Sequence, residues 1–306
     1  MPAVFTRANA LPLATLAFVV ACSDVNGPTQ PMRTPAEVSV AKQSTTSSRM
    51  LFYDFVNVWI MNADGTNALA LGLPADQSFD PSWAPDGKRV LFNSFRGESR
   101  TSIYIMNADG TGVTRITNPP ATSGDIRPVA FGKRVAFMRH DGATATVYRV
   151  NLDGSDLTPI APGQQPASSP GGAKLAFVDD GDILEYDAAT GLIRNLTNTP
   201  AVSEFDPSYS PNGKQIAFAS QQSTGNVLNT ISVMLADGTA VTRLIWSATD
   251  GYGLPKWSPD GKRIAFSLTP SGTFSSDIHV MSVNGTGITN ITNSPAVAEQ
   301  LTAWAR

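Results

Sequence analysis

Residues 79–92 read FDPSWAPDGKRVLF, and the chain repeats this stretch. FDPSYSPNGKQIAF stands at 205–218 and GLPKWSPDGKRIAF at 253–266. Weaker copies are IRPVAFGKRVAF at 126–137 and QPASSPGGAKLAF at 165–177. In the strong copies a short run ends in Trp83, Tyr209 or Trp257 and leads into Pro-Asp-Gly or Pro-Asn-Gly. Proline presets φ near −65° and Gly or Asn accepts positive φ, so the tripeptide is a tight turn. The β-branched and aromatic run after it reads as a strand. Each copy is therefore a hairpin.

A second motif follows each hairpin. IMNADGT occurs at 60–66 and 105–111, with relatives VNLDGSD at 150–156, YDAATG at 186–191, MLADGT at 234–239 and MSVNGT at 281–286. An apolar-polar alternation precedes it, as in Ser102-Ile103-Tyr104-Ile105-Met106, and a short polar-apolar strand follows, as in VTRITN at 113–118. The Asp-Gly or Asn-Gly step is a second hairpin turn. Its glycine falls at 65, 110, 154, 191, 238 and 285, at intervals of 45, 44, 37, 47 and 47 residues. Four strands per unit at such a period indicate the blades of a β-propeller. Six units predict an all-β, six-bladed propeller of four-stranded antiparallel blades over residues 49–306. The first unit lacks an opening strand before Met50-Leu51-Phe52, and Leu301-Thr302-Ala303-Trp304 at the other end supplies the missing pattern. The C-terminal strand is thus expected to pair with the N-terminal strands and close the ring, leaving no long unpaired edge.

The composition agrees. The 306 residues include 25 Gly and 22 Pro, enough turn formers for many hairpins in one large domain. The net charge of −3 and the absence of a basic run argue against a nucleic-acid partner.

Residues 1–21 read as a signal peptide: the apolar run at 11–21 is too short to span a bilayer. It ends Val19-Val20-Ala21-Cys22, which resembles the lipobox of bacterial lipoproteins. That resemblance implies lipidation of Cys22, cleavage before it, and a membrane contact through the lipid anchor alone. The plainer alternative is an ordinary cleaved signal beside an incidental cysteine. Cys22 is the one cysteine of the chain, so no internal disulfide forms. Residues 22–48, rich in Ser, Thr, Pro and Gln, read as a flexible tether. Ser23, where some bacterial lipoproteins carry an inner-membrane retention Asp, leans the expectation to the outer membrane.

The two motifs in tandem, W-S-P-D-G-K-x-I-A-F and then I-x-V-M-N-x-D-G-T-x-x-T-R-L-T, resemble the repeat of the TolB-type propellers of the bacterial envelope. The resemblance covers residues 49–306. It implies a non-enzymatic, monomeric scaffold that binds an envelope protein or peptide at the mouth of its channel. Members of that family carry an α/β domain ahead of the propeller, and only the short tether stands there in this chain. A place in a Tol–Pal machine is therefore not implied.

Both repeated turns follow odd-numbered strands of a blade and so share one face. The other face collects dissimilar loops, among them 96–100, 140–142, 179–182, 221–226 and 271–276. Dissimilar loops on a rigid scaffold are where binding usually sits. Residues entering the inner strands on that face line the channel mouth: Asp80, Arg127, Gln165, Asp206, Leu254 and Leu301, with Asp125, Glu204, Tyr252 and either Glu299 or Gln300 one step earlier. Asp80, Arg127, Gln165, Asp206 and Tyr252 are the expected binding residues. The competing reading is that Asp80 and Asp206, each before a proline, merely cap the turn into their strands.

Catalytic readings are weaker. His279 takes the aromatic slot of Trp59, Tyr104 and Tyr148, so packing explains it, and His140 has no second His or Cys near it. No Gly-x-Ser-x-Gly occurs, and the Asp-Gly-Thr turns lack the EF-hand ligand spacing. No cofactor, metal or catalytic residue is expected. The alternative is a metal-dependent propeller hydrolase or lactonase, or a sugar-binding protein, using Asp80 and Asp206.

Overall fold

The computed structural model describes residues 48–72, 76–222, 228–294 and 297–305. Six four-stranded antiparallel sheets stand in a ring. Blade I combines β1 (Arg49–Tyr53), β2 (Val58–Asn62) and β3 (Leu69–Leu71) with the last strand, β24 (Gln300–Ala305), on its inner side. Blade II holds β4 (Ser78–Trp83), β5 (Arg89–Ser94), β6 (Ser102–Asn107) and β7 (Thr114–Arg115). Blade III holds β8 (Gly124–Phe131), β9 (Arg134–His140), β10 (Ala145–Val150) and β11 (Thr158–Pro162). Blade IV holds β12 (Gln164–Ser168), β13 (Lys174–Asp179), β14 (Asp182–Asp187) and β15 (Ile193–Asn195). Blade V holds β16 (Val202–Tyr209), β17 (Gln215–Gln222), β18 (Leu228–Leu235) and β19 (Thr242–Ser247). Blade VI holds β20 (Gly251–Trp257), β21 (Arg263–Thr269), β22 (Asp277–Ser282) and β23 (Thr289–Asn290). The expected six-bladed propeller is the observed fold. The signal-peptide segment, Cys22 and all but the end of the tether lie outside the described residues.

The ring closes as expected, with the C-terminal strand on the inner side of β1. Met50 faces Trp304, Leu51 faces Ala303 and Phe52 faces Leu301. Trp304 and Leu301 then join Met50, Phe52 and Met61 in one buried cluster.

The core is not central. Six buried clusters each draw residues from two neighbouring blades, so the apolar interior is a ring of blade-to-blade interfaces. A middle strand is therefore covered on both faces, and Val90-Leu91-Phe92 is buried as a run rather than in alternation. At ~25 cal/mol per Å² of apolar area, these interfaces are where the fold gains most of its stability.

One contact recurs within the blades. Phe52 stacks on Trp59 (centroids 5.9 Å), Phe92 on Tyr104 (5.6 Å), Phe137 on Tyr148 (5.8 Å) and Phe266 on His279 (5.7 Å). Each pair is directly cross-strand, where such rings add ~0.5–1 kcal/mol or more beyond burial. His279 is thus a packing residue, as its slot in the repeat indicates.

Candidate functional site

Five inner strands carry the same irregularity. The register slips between Phe79 and Ser82, Ile126 and Val129, Gln164 and Ala167, Phe205 and Ser208, and Gly253 and Lys256. In each case the residue before a proline adopts positive φ: Asp80 (48°), Arg127 (53°), Gln165 (55°), Asp206 (52°) and Leu254 (54°). A β-branched or bulky side chain seldom takes this conformation, and the residue before proline normally favours extended backbone. A bulge of this kind re-aims a side chain. Here it turns all five toward the axis, where they line a channel of about 50 Å³, room for a few waters. The closing strand differs. Its slip falls at Thr302, which lines the channel, while Leu301, expected at the mouth, is fully buried against the blade VI–I cluster.

At the hub the charges answer one another. Arg127 Nη1 donates to Asp206 Oδ1 at 2.7 Å, joining blades III and V across the channel. Gln165 Oε1 accepts from the Asp206 N–H at 2.8 Å, and Asp206 Oδ2 accepts from the Leu254 N–H at 3.2 Å. Asp80 accepts from the Arg127 backbone N–H and the Tyr53 hydroxyl. Asn93, its amide nitrogen turned inward, donates to Asp80 Oδ2 at 3.0 Å. Lys256 also lines the channel, beside Asp206 and Asp80. Burial pushes the Asp80 carboxyl above the usual carboxylate range, against the pull of Arg127. Burial also works against the Arg127 charge, but Asp206 and Asp80 outweigh it and hold its pKa high. Burial draws the Lys256 amine down to about 8, with Asp206 resisting.

Two carboxylates therefore face two cations. The expected grouping of Asp80, Arg127, Gln165 and Asp206 is present, and its partners lie within the molecule. Among the described residues no group of three or more His, Cys, Asp or Glu side chains is placed to hold a metal. Tyr252 does not join the hub. It packs edge-on against Phe266 at 6.0 Å, inside the blade V–VI interface.

Off the axis, on the variable-loop face, lies a basin of about 520 Å³ over blades I to III. One wall is a chain of rings in edge-to-face contact: Phe55 on Tyr53 (5.2 Å), Tyr53 on Phe79 (5.9 Å), Phe79 on Phe95 (6.2 Å). Phe55 is half exposed and sits at φ 65°. Arg100, Thr101 and His140 also line the basin, as do Asp80 and Arg127 of the hub. Thr101 Oγ1 is buried without a hydrogen-bond partner, while Arg100 Nε faces Glu98 Oε2 at 3.8 Å, an ion pair too long for a hydrogen bond. An unmade buried hydrogen bond costs ~1–3 kcal/mol.

The sequence profile of the TolB beta propeller domain matches residues 55–251. The chain belongs to the TolB beta propeller domain family. Over 89 residues it is 36% identical to the Tol-Pal system protein TolB of Actinobacillus succinogenes, and 37% identical to that of Histophilus somni. Those alignments take in 29% of this chain and 19% of each relative, so the match is to a fraction of the TolB length. In three dimensions the chain resembles TolB from Acinetobacter baumannii with a TM-score of 0.71 at 20% identity, over 85% of this chain and 66% of that one. At that identity the TolB likeness establishes the fold alone.

The TolB-type repeat did not announce Lys256, Tyr53 or Asn93 as hub residues. Lys256 carried a signal, because it stands where the other inner strands place Ser82, Val129, Ala167 and Ser208. A lysine in a column of small residues facing an axis needs a charged partner there. Tyr53 and Asn93 reach the hub from second strands, and nothing in the inner-strand pattern points to them.

Proposed function

We propose that the protein is a cell-envelope lipoprotein whose propeller binds a partner polypeptide on the variable-loop face, without chemistry of its own. The observation that carries this is the basin. It combines half-exposed aromatic rings with Arg100, Thr101 and His140, and the buried Thr101 hydroxyl has no hydrogen-bond partner. Aromatic and arginine side chains dominate binding energy at protein interfaces, and a bound main-chain carbonyl would supply the missing acceptor. The hub carboxylates, neutralised internally, are not the recognition element of the site. The Tol-Pal names of the relatives support an envelope setting. Export and lipidation at Cys22 rest on residues 1–22, and placement at the outer membrane facing the periplasm rests on Ser23.

The test is a paired comparison. Protein with Phe55→Ala and Phe95→Ala is expected to lose a crosslinked envelope partner. Protein with Lys88→Ala and Lys262→Ala, on the repeated-turn face, is expected to keep it, at matched melting temperature. The reverse pattern places the site on the wrong face. Metal-dependent turnover of a lactone or ester, lost on changing Asp80 and Asp206 to Asn, replaces the binding reading with a catalytic one. Cys22→Ser is expected to shift the protein from the membrane to the soluble fraction, and retention after carbonate washing rejects the anchor.

A further inference from the structure

Blades III and V share a framework and fill it differently. In blade III, Asp125 is fully buried and faces Arg139 in the register. Arg139 Nε and Nη2 donate to its two oxygens at 2.6 and 2.9 Å. The same guanidinium lies 4.9 Å from the ring centre of Tyr148 and 5.7 Å from that of Phe137. In blade V the equivalent pairs are Glu204 with Ser220 and Phe218 with Ser232. The acid and the phenylalanine are kept, while the arginine and the second ring are each replaced by serine.

The other blades fill this slot. Trp59 fills it in blade I, Tyr104 with Arg96 in blade II, and Tyr252 with His279 in blade VI. In blade IV, Leu184 stands opposite Phe177, and the backbone at Gly163 closes on the Phe177 ring. At blade V, a cavity of about 360 Å³ opens instead toward blade IV, lined by Phe218, Ser220, Thr230, Ser232, Glu204 and Arg243. That volume lies in the range of small-ligand sites. Glu204 is 4% exposed and accepts from the hydroxyls of Thr197 and Thr199, and no cation lies within ion-pair distance among the described residues. Burial holds its carboxyl above the usual range despite those bonds. A buried acid without a cation is costly, and a charge-assisted bidentate pair would relieve it. Arg243 forms no ion pair among the described residues and stays exposed at the rim.

We propose that this cleft binds a guanidinium group, seated on Phe218 and paired with Glu204 as Arg139 is with Phe137 and Asp125. The group is planar, and the protein already shows the pose it takes. It can come from an arginine side chain of a polypeptide or from a small guanidinium compound. The site lies at the blade IV–V seam, apart from the basin over blades I to III, and stands whether or not the basin binds a partner.

The experiment titrates the purified protein calorimetrically with agmatine, with N-acetyl-arginine methylamide as a peptide mimic, and with n-butylamine as a non-planar cation. Saturable binding of the guanidinium probes, at least tenfold stronger than butylamine, supports the proposal. Tighter binding of the mimic than of agmatine points to a polypeptide source, and the reverse to a small compound. Glu204→Gln is expected to weaken guanidinium binding at least tenfold with the melting temperature preserved. Ser220→Arg with Ser232→Tyr rebuilds the blade III occupant and is expected to abolish binding while raising the melting temperature. Arg243→Ala is expected to leave affinity unchanged or improve it, because it removes a like charge. The proposal is overturned by no binding in the wild type, by equal binding of butylamine, or by unchanged affinity in either the Glu204 or the double-serine variant. Loss of binding in Arg243→Ala, which would mark an anion site, also overturns it.

Discussion

Around the ring, the turn after a blade's third strand meets its neighbour in two ways. In blade V, Gly238 has φ 91°, and a Cβ there would stand 2.4 Å from the Leu196 carbonyl oxygen of blade IV. Gly65, Gly154 and Gly285 are seated the same way on the blade before them, at 2.1, 2.7 and 2.5 Å, and Gly110 more loosely at 3.4 Å. At the III–IV junction a Cβ on the corresponding Gly191 would meet nothing within 4 Å. There the close approach has moved inward, to the turns after the first strands. A Cβ on Gly172 would stand 2.0 Å from the Gly132 nitrogen. Arg127 and Asp206 also span this side of the ring, tying blade III to blade V past blade IV. The contrast shows that a propeller tolerates a lost outer seat where an inner one and a bridge across the channel replace it.

The largest effect is expected at that bridge. Arg127→Leu leaves Asp80 and Asp206 facing each other with only Lys256 to offset them, and uncompensated buried charge costs ~3–5 kcal/mol. Chemical denaturation is expected to show a loss of that size. A loss below ~1 kcal/mol would mean that the hub does not hold the III–IV seam. Gly238→Ala adds backbone strain to a collision with a carbonyl oxygen, and ~2–4 kcal/mol should be lost, with the same order at Gly65.

Next comes a pH effect at the hub. Lys256 titrates at about 8 when folded against 10.5 for the free side chain. Between those values the unfolded chain holds a proton that the folded chain has released, so stability rises with pH. A gain of ~1–2 kcal/mol is expected between pH 7.5 and 9.5, discounted for the channel water around the amine. Lys256→Met should flatten that slope, and an unchanged slope would remove Lys256 as its source. The smallest effect is Gly191→Ala, where strain alone remains and ~1 kcal/mol is expected. Equal losses at Gly191 and Gly238 would erase the distinction between seated and open turns.

Much of this was written in the repeats. The single interval of 37 residues, from Gly154 to Gly191, falls at the one altered junction, and the two degraded hairpin copies, at 126–137 and 165–177, flank it. The interval shortens because Gly163 alone links β11 to β12. Asp80, Arg127, Gln165 and Asp206 were legible because a strand-entry position before proline repeats. Leu301 was misplaced by one step, because the closing strand slips at Thr302, and Tyr252 by two, because it stands before the bulge at Leu254 and keeps its place in the blade interface; where a bulge falls is invisible in the letters. The blade V cleft was hidden for a different reason. Ser220 and Ser232 look like ordinary strand residues until their counterparts Arg139 and Tyr148 are seen filling the same space.

The closing strand also decides how the molecule would carry load. Arg49, where β1 begins, faces Ala305, where β24 ends, and Ser48 Oγ donates to the Ala305 carbonyl at 3.0 Å. Both ends of the ring therefore emerge on the repeated-turn side, since β1 starts where the Pro-Asp-Gly turns of the other blades stand. A force applied at Ser48 along the direction of β1 would meet the whole strand at once. β1 is paired on both flanks, five residues to β2 and five to β24, so the force shears all of those pairs together instead of peeling them one by one.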